Sequence, residues 1–310
     1  MLDELSGEPS LTEREIVDQP AAWERAATLA SAAELVPDGA RVALIGCGSS
    51  WSAAQAIAAL RERRGHGETD AFAASEARLA RAYDRVVAIS RSGTTSELLY
   101  ALDRVPGDVP TVAVVGVEDS PIARACDEVV PLAFADDQSV VQTRFVTATI
   151  AFARAALGED LGPVARDGRA ALERPLPAAA CDRHHHVVLG LDWCAGLAAA
   201  AALMLRETAG IACEAYPAME YRHGPIAIAG TGTVVWFLGP SPAGLADEVA
   251  ATGAAVIRSD LDPLAQLVQV QRVAVELARS RGLDPDRPPN LSRSIVLDTT
   301  ASHGQGREDR

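Results

Sequence analysis

The chain has 310 residues, room for two domains of ordinary size, and 48% hydrophobic with 23% charged residues excludes a chain that is disordered throughout. A net charge of −14 opposes a nucleic-acid backbone as partner, because like charges repel. All 28 basic side chains are arginine, so an internal lysine Schiff base, a P-loop lysine and a lysine-anchored pyridoxal cofactor are excluded.

In chain order, residues 1–35 read as a helical arm. Ser10 and Glu13 have capping-box spacing, and Asp18-Gln19-Pro20 reads as a break before a second helical run from Ala21 to Leu35. Arg41–Ile45 is a short β-rich run ending in Gly46-Cys47-Gly48-Ser49-Ser50, followed by a helix over Ala53–Arg64. Further strands are expected at Arg85–Ser90, Thr111–Gly116 and Glu128–Leu132, with helical patterns between them. Such alternation makes parallel strands with helical crossovers. The pattern then repeats. Val188-Leu189-Gly190 leads into an Ala-rich helix as Leu44-Ile45-Gly46 does, Thr233–Leu238 echoes Arg85–Ser90, and Ala254–Ile257 echoes Thr111–Val115. These echoes predict two copies of one α/β unit, joined around Gly158–Pro177: 36–160 and 175–298, with a mobile polar tail at 299–310.

Ligands of parallel sheets gather beyond the carboxyl ends of the strands. Gly46–Ser50 places small residues there, and Ser90-Arg91-Ser92-Gly93-Thr94-Thr95 concentrates hydroxyls and an arginine where a helix begins. Hydroxyls, free amides and a helix N-terminus together favour a phosphate. One such loop is ordinarily a capped turn; two at equivalent strand ends favour a site. A dinucleotide reading is weak, since Trp51 stands where a third glycine belongs. In the second copy the equivalent loop, Leu191–Cys194, lacks the small hydroxyls and is not expected to hold a phosphate. That copy instead offers Glu207 near a helix C-terminus, where the negative dipole end makes a carboxylate more basic, and His223 beside Gly224-Pro225. A solvated helix end and a turn histidine are the plainer readings of those two. The consecutive His184-His185-His186 point in different directions on an extended chain and are not read as a metal site, and Cys47 has no evident paired base. Five cysteines without a C-x-x-C pair read as reduced thiols of a cytoplasmic protein. No secretory signal is visible, and the longest apolar run, 195–205, is too short to span a bilayer.

These residues resemble the sugar isomerase (SIS) family. Gly46–Ser50 looks like its first sugar-binding loop, Ser90–Thr95 like its phosphate loop, and Ser139–Arg144 like a third segment. Leu205-Arg206-Glu207, Glu214-Ala215-Tyr216 and Glu220–Pro225 resemble the isomerase half of the glucosamine-6-phosphate synthases and the amino-sugar-phosphate deaminase/isomerases, and Asn290–Ser294 their C-terminal loop. The resemblance implies tandem units with flavodoxin-like parallel sheets. It implies that Ser90, Ser92 and Thr95 grip a sugar phosphate, with Arg91 assisting and Ser49 and Ser50 lining the same pocket. Glu207 would move a proton between C1 and C2, and His223 would assist ring opening, reaching into a neighbouring subunit's pocket. Two departures matter. The synthases place a Schiff-base lysine where this chain has Arg293, which is expected among the substrate-binding residues without the lysine's part, and their glutaminase domain is not expected before Met1-Leu2. The expectation is a cofactor-free aldose–ketose isomerase or amino-sugar-phosphate deaminase, homodimeric with shared sites, binding neither nucleic acid nor membrane. Its rival is a non-catalytic sugar-phosphate sensor.

Overall fold

A computed structural model describes residues 8–31 and 36–297 of the chain. The expected mobile tail at 299–310, and part of the N-terminal arm, lie outside the described residues. The chain enters through α1 (Leu11–Ala30), whose Ser10 Oγ accepts from the Glu13 amide while the Glu13 carboxylate accepts from the Ser10 amide at 2.8 Å. The break expected at Pro20 is absent, and α1 runs through it as one helix. Proline removes the N–H that Ile16 O would accept. The Gln19 side chain replaces it, its Nε2 donating to Ile16 O at 3.2 Å and to Gln271 Oε1 at 2.6 Å. Its Oε1 accepts from Thr147, which accepts in turn from Trp23 Nε1 at 2.9 Å, so the polar groups buried beside Pro20 satisfy one another.

The first sheet holds β1 (Val42–Gly46), β2 (Thr69–Ala73), β3 (Arg85–Ser90), β4 (Thr111–Val115) and β5 (Glu128–Pro131), all parallel in the order β2-β1-β3-β4-β5. Its helices are α2 (Ser49–Arg63), α3 (Ser96–Leu102), α4 (Pro121–Ala125) and α5 (Arg144–Ala156). After α6 (Gly162–Glu173) and α7 (Ala178–Asp182) comes a second parallel sheet. It contains β6 (His185–Gly190), β7 (Ala212–Pro217), β8 (Thr233–Leu238) and β9 (Ala255–Ile257), in the order β7-β6-β8-β9. Helices α8 (Cys194–Ala209), α9 (Leu245–Ala251) and α10 (Pro263–Ser280) complete it. The architecture is two flavodoxin-like parallel α/β units, and the doubled pattern of the sequence is its signature. No described helix is long and apolar enough to cross a membrane.

The units share one apolar core between the sheets, built from α1, α2, α5, α8 and α10, while the outer face of each sheet carries its own smaller cluster. Helices α2 and α8 pack backbone to backbone. A Cβ built on Gly196 would stand 2.6 Å from the Ala56 amide and 2.7 Å from Ser52 O, neither of which can give way without moving a helix. Gly196→Ala is therefore expected to destabilise the protein by about 1–3 kcal/mol, the usual cost of overpacking a core. A drop of several degrees in the melting temperature checks this, and an unchanged midpoint would contradict it.

Candidate functional site

In this strand order the chain switches direction between β1 and β3, and the loops following those two strands converge there. The first loop is tight because a Cβ on Gly46 would come within 2.9 Å of the backbone of Ser50 and Trp51. Helix α2 therefore begins at Ser49, four residues before the start read from its apolar pattern. Gly48 takes φ 54° and sits against the Leu203 side chain, which brings the last turns of α8 over the loop.

The resulting cleft is lined by Cys47, Gly48 and Ser49 from the first loop and by Arg91 and Thr95 from the second. Val140 and Gln142 form a third wall, Glu207 of α8 a fourth, and residues 291–295 close the remaining side. Of the residues anticipated, Ser49, Arg91, Thr95, Glu207 and Arg293 thus face one cavity. The hydroxyls of Ser50, Ser90 and Ser92 belong to the same loops but bond within the wall. Ser50 Oγ lies 3.4 Å from Gln142 Oε1, Ser90 Oγ accepts from the Gly93 amide at 3.0 Å, and Ser92 Oγ donates to Ser294 Oγ at 3.1 Å. Thr94 Oγ1 also meets Ser294, at 2.8 Å. His223 is exposed at the end of a 3-10 turn, Ala218–Arg222, and does not line the cleft of its own chain. Gln142 and Ser294 were not singled out from the sequence. They sit within the third segment and the C-terminal loop, but nothing in their spacing marks them.

Burial pushes the Glu207 carboxyl up to about 7, against the pull of Arg91 and Arg206. A group that changes charge near neutrality is suited to take and return a proton. Arg293 has its cation turned onto the carboxylate of Asp136, and its Nε donates to Asp137 O at 3.2 Å. Burial, with Glu97 nearby, raises the Cys47 thiol, which makes it a poor nucleophile. Of the triple histidine, His186 is buried and held neutral, its pKa lowered to about 4 by desolvation. His185 bonds Thr233 and Glu214 instead. Among the described residues no group of three or more His, Cys, Asp or Glu could hold a metal.

The matching loops of the second unit are filled. Arg154, clamped by Glu159 and Asp262, stacks 5.1 Å over Trp193, and the Gly239 amide donates to Gln266 Oε1 at 3.0 Å. No anion could reach that amide without displacing the glutamine.

Comparison with known proteins follows this geometry. Residues 35–157, which carry both loops and the third segment, match the SIS domain model. They are a SIS domain. Glu207 and the segment 291–295 lie outside that SIS match and complete the cleft from elsewhere in the chain. Over 350 residues the chain is 27% identical to a glutamine–fructose-6-phosphate aminotransferase (isomerizing) of Pyrobaculum aerophilum, covering 94% of this chain and 58% of that protein. The enzyme of the same name from Methanothermobacter thermautotrophicus is 28% identical, with 96% and 57% covered. The chain spans roughly half the length of the curated relatives it matches. A glucosamine-6-phosphate deaminase structure from Thermotoga maritima superposes with a TM-score of 0.76 at 25% identity, covering 93% of this chain and 100% of that one. A tagatose-6-phosphate ketose/aldose isomerase from Escherichia coli has the same fold, with a TM-score of 0.76 at 18% identity over 93% and 96%. The SIS domain here is thus homologous to phosphosugar-handling enzymes.

Thr95 offers a direct test of the cleft. It caps α3 by its backbone alone, its hydroxyl making no capping bond. Thr95→Ala is expected to weaken binding of a phosphorylated sugar by about 10- to 100-fold, the worth of one hydrogen bond to a charged group. Affinity for the unphosphorylated sugar should not change. Calorimetry with the two ligands checks it, and equal affinity of variant and parent would remove Thr95 from the site. Ser90→Ala is a poorer probe, because its hydroxyl also holds the Gly93 turn.

Proposed function

We propose that the chain is a phosphosugar isomerase or amino-sugar-phosphate deaminase that acts by proton transfer between C1 and C2. The observation that carries this is Glu207, a carboxyl whose pKa stands at about 7, lining one cleft with the hydroxyl-rich loops of the SIS domain. In this reading the phosphate is gripped in the first unit, by Thr95 directly and by Ser90 and Ser92 once their hydroxyls turn from Gly93 and Ser294, with Ser49 beside the sugar and Ser50 turning from Gln142 to join it. Glu207, from the second unit, takes the proton from C2 of the open-chain aldose. The electron pair left at C2 forms an enediol with C1, and the proton returns at C1 to give the ketose. With an amine at C2, the same transfer run from C2 to C1 gives a ketimine, whose hydrolysis releases ammonia. No external electron acceptor enters either balance.

His223 is assigned to the ring-opening step in a second copy of the chain, so that each site of a homodimer takes Glu207 from one subunit and His223 from the other. The exposure of His223, and its absence from the lining of its own chain's cleft, support that assignment. The relatives named above are enzymes, and a binding-only sensor gains no support from them. The deciding experiment is a coupled assay with glucosamine-6-phosphate, galactosamine-6-phosphate and fructose-6-phosphate. Turnover of one of them is expected. Tight binding across a broader panel with no turnover of any would overturn the catalytic reading.

A further inference from the structure

Arg91 is only 2% exposed, in a loop that is supposed to meet a ligand. Three of its five guanidinium N–H groups have backbone carbonyl acceptors. One terminal nitrogen donates to Ser139 O at 2.8 Å and Val140 O at 3.1 Å, and the other donates to Arg293 O. The remaining Nε is buried and makes no hydrogen bond. These carbonyls belong to two segments far from Arg91 in sequence, and both segments are walls of the cleft: the stretch through Val140 and Gln142, and the stretch 291–295.

Each wall is also anchored elsewhere. Glu15 of α1 accepts from the Ser139 amide at 3.1 Å and from its hydroxyl, and the Val140 amide donates to Asp286 O at 3.3 Å. In the C-terminal stretch, Ser294 meets Ser92 and Thr94, the Ser96 amide donates to Ile295 O at 3.2 Å, and the Leu297 amide donates to Ser96 Oγ at 2.9 Å. Arg91 is the one side chain that touches both walls from within the Ser90–Thr95 loop. Only a planar fork of several donors spans carbonyls on separate segments. A lysine ammonium keeps the charge but cannot reproduce that geometry.

We infer that Arg91 is a positioning residue: its side chain braces the 139–142 and 291–297 walls against the phosphate-binding loop and is not itself a ligand of the phosphate. This departs from the assisting role that family resemblance implies for it, and it rests on the proposed function only for what the cleft binds. The acidic surroundings fit a brace. Burial pushes the Arg91 pKa down and Arg293 adds to that, while Asp137, Asp136 and Glu15 lie near enough to oppose it.

The test uses the full chain, without ligand and then with inorganic phosphate. Arg91→Gln and Arg91→Lys should both speed hydrogen exchange at the Val140 and Leu297 amides tenfold or more, while amides of β3 and β4 exchange as in the parent. Lysine should not rescue, and phosphate affinity should fall in both variants to within threefold of one another. Unchanged exchange at the two amides, with phosphate binding kept by Arg91→Lys and lost by Arg91→Gln, would overturn the brace and make Arg91 a ligand. Should neither variant fold, the parent alone decides. The Val140 and Leu297 amides should open with the same dependence on low urea, and unrelated dependences would sink the inference. Absence of sugar-phosphate turnover by the parent would defeat the proposed function and leave the exchange result standing.

Discussion

Glu207→Gln is expected to abolish proton exchange at C2 of the substrate while leaving phosphate affinity within a few fold of the parent. The amide has the shape of the carboxyl but no basicity, and general-base catalysis is worth about 10²- to 10⁴-fold in rate. Deuterium wash-in from heavy water, followed by NMR, measures it. Exchange at the parent rate would require another base. The pH dependence has a definite sign. Because the base works as the carboxylate, the parent rate should rise with pH and reach half its plateau near 7, the value burial gives this group. Stability runs the other way. Glu207 holds its proton more tightly folded than at its ordinary 4.5, so the fold is unburdened below that value and loses stability as pH rises toward about 7. Above pH 7, Glu207→Gln should therefore be the more stable protein, by about 1–2 kcal/mol once solvent access to the group is allowed for. Near pH 4.5 the two should melt together.

The second large effect is a recovery. Glu207→Gln and His223→Ala, each nearly inactive alone, should regain about a quarter of parental activity when co-refolded in equal amounts. The arithmetic follows from two-fold symmetry. Half the dimers are mixed, and each mixed dimer combines an intact Glu207 from one chain with an intact His223 from the other at one of its two sites. Sites built within one chain would show no recovery, since every chain in the mixture carries a lesion. A monomeric mass in solution would defeat the shared site before any mixing.

Much of the fold is legible in the residues themselves. β1, β3, β4 and β8 are apolar runs buried almost throughout, the mark of central parallel strands, and their echo along the chain announced two units. β2 was not legible. Thr-Asp-Ala-Phe-Ala is a half-exposed edge that pairs only with β1, so its residues carry little apolar signal. β7, paired only with β6, was read as a motif and not as a strand for the same reason. At Pro20 a rule of local propensity lost to a tertiary one. The residue that breaks an isolated helix is tolerated because Gln19, itself held by Gln271 and Thr147, satisfies the orphaned carbonyl.

The site divides along the same line. The two loops could be picked out directly as candidates, because close backbone approach needs glycine and a phosphate site calls for hydroxyls, and both requirements are written in residue type. Glu207 could be read only as a candidate base. What brings it to the cleft is that α8 crosses α2 in backbone contact at Gly196, so that a residue some 160 positions beyond the first loop lies half-buried at its mouth. Long-range packing also decides the two arginines. As letters, Arg91 and Arg293 are two cations beside an anion site. In the fold, one is bound to three backbone carbonyls and the other to Asp136, because a buried guanidinium must find acceptors wherever the chain supplies them, and only the tertiary structure says where that is.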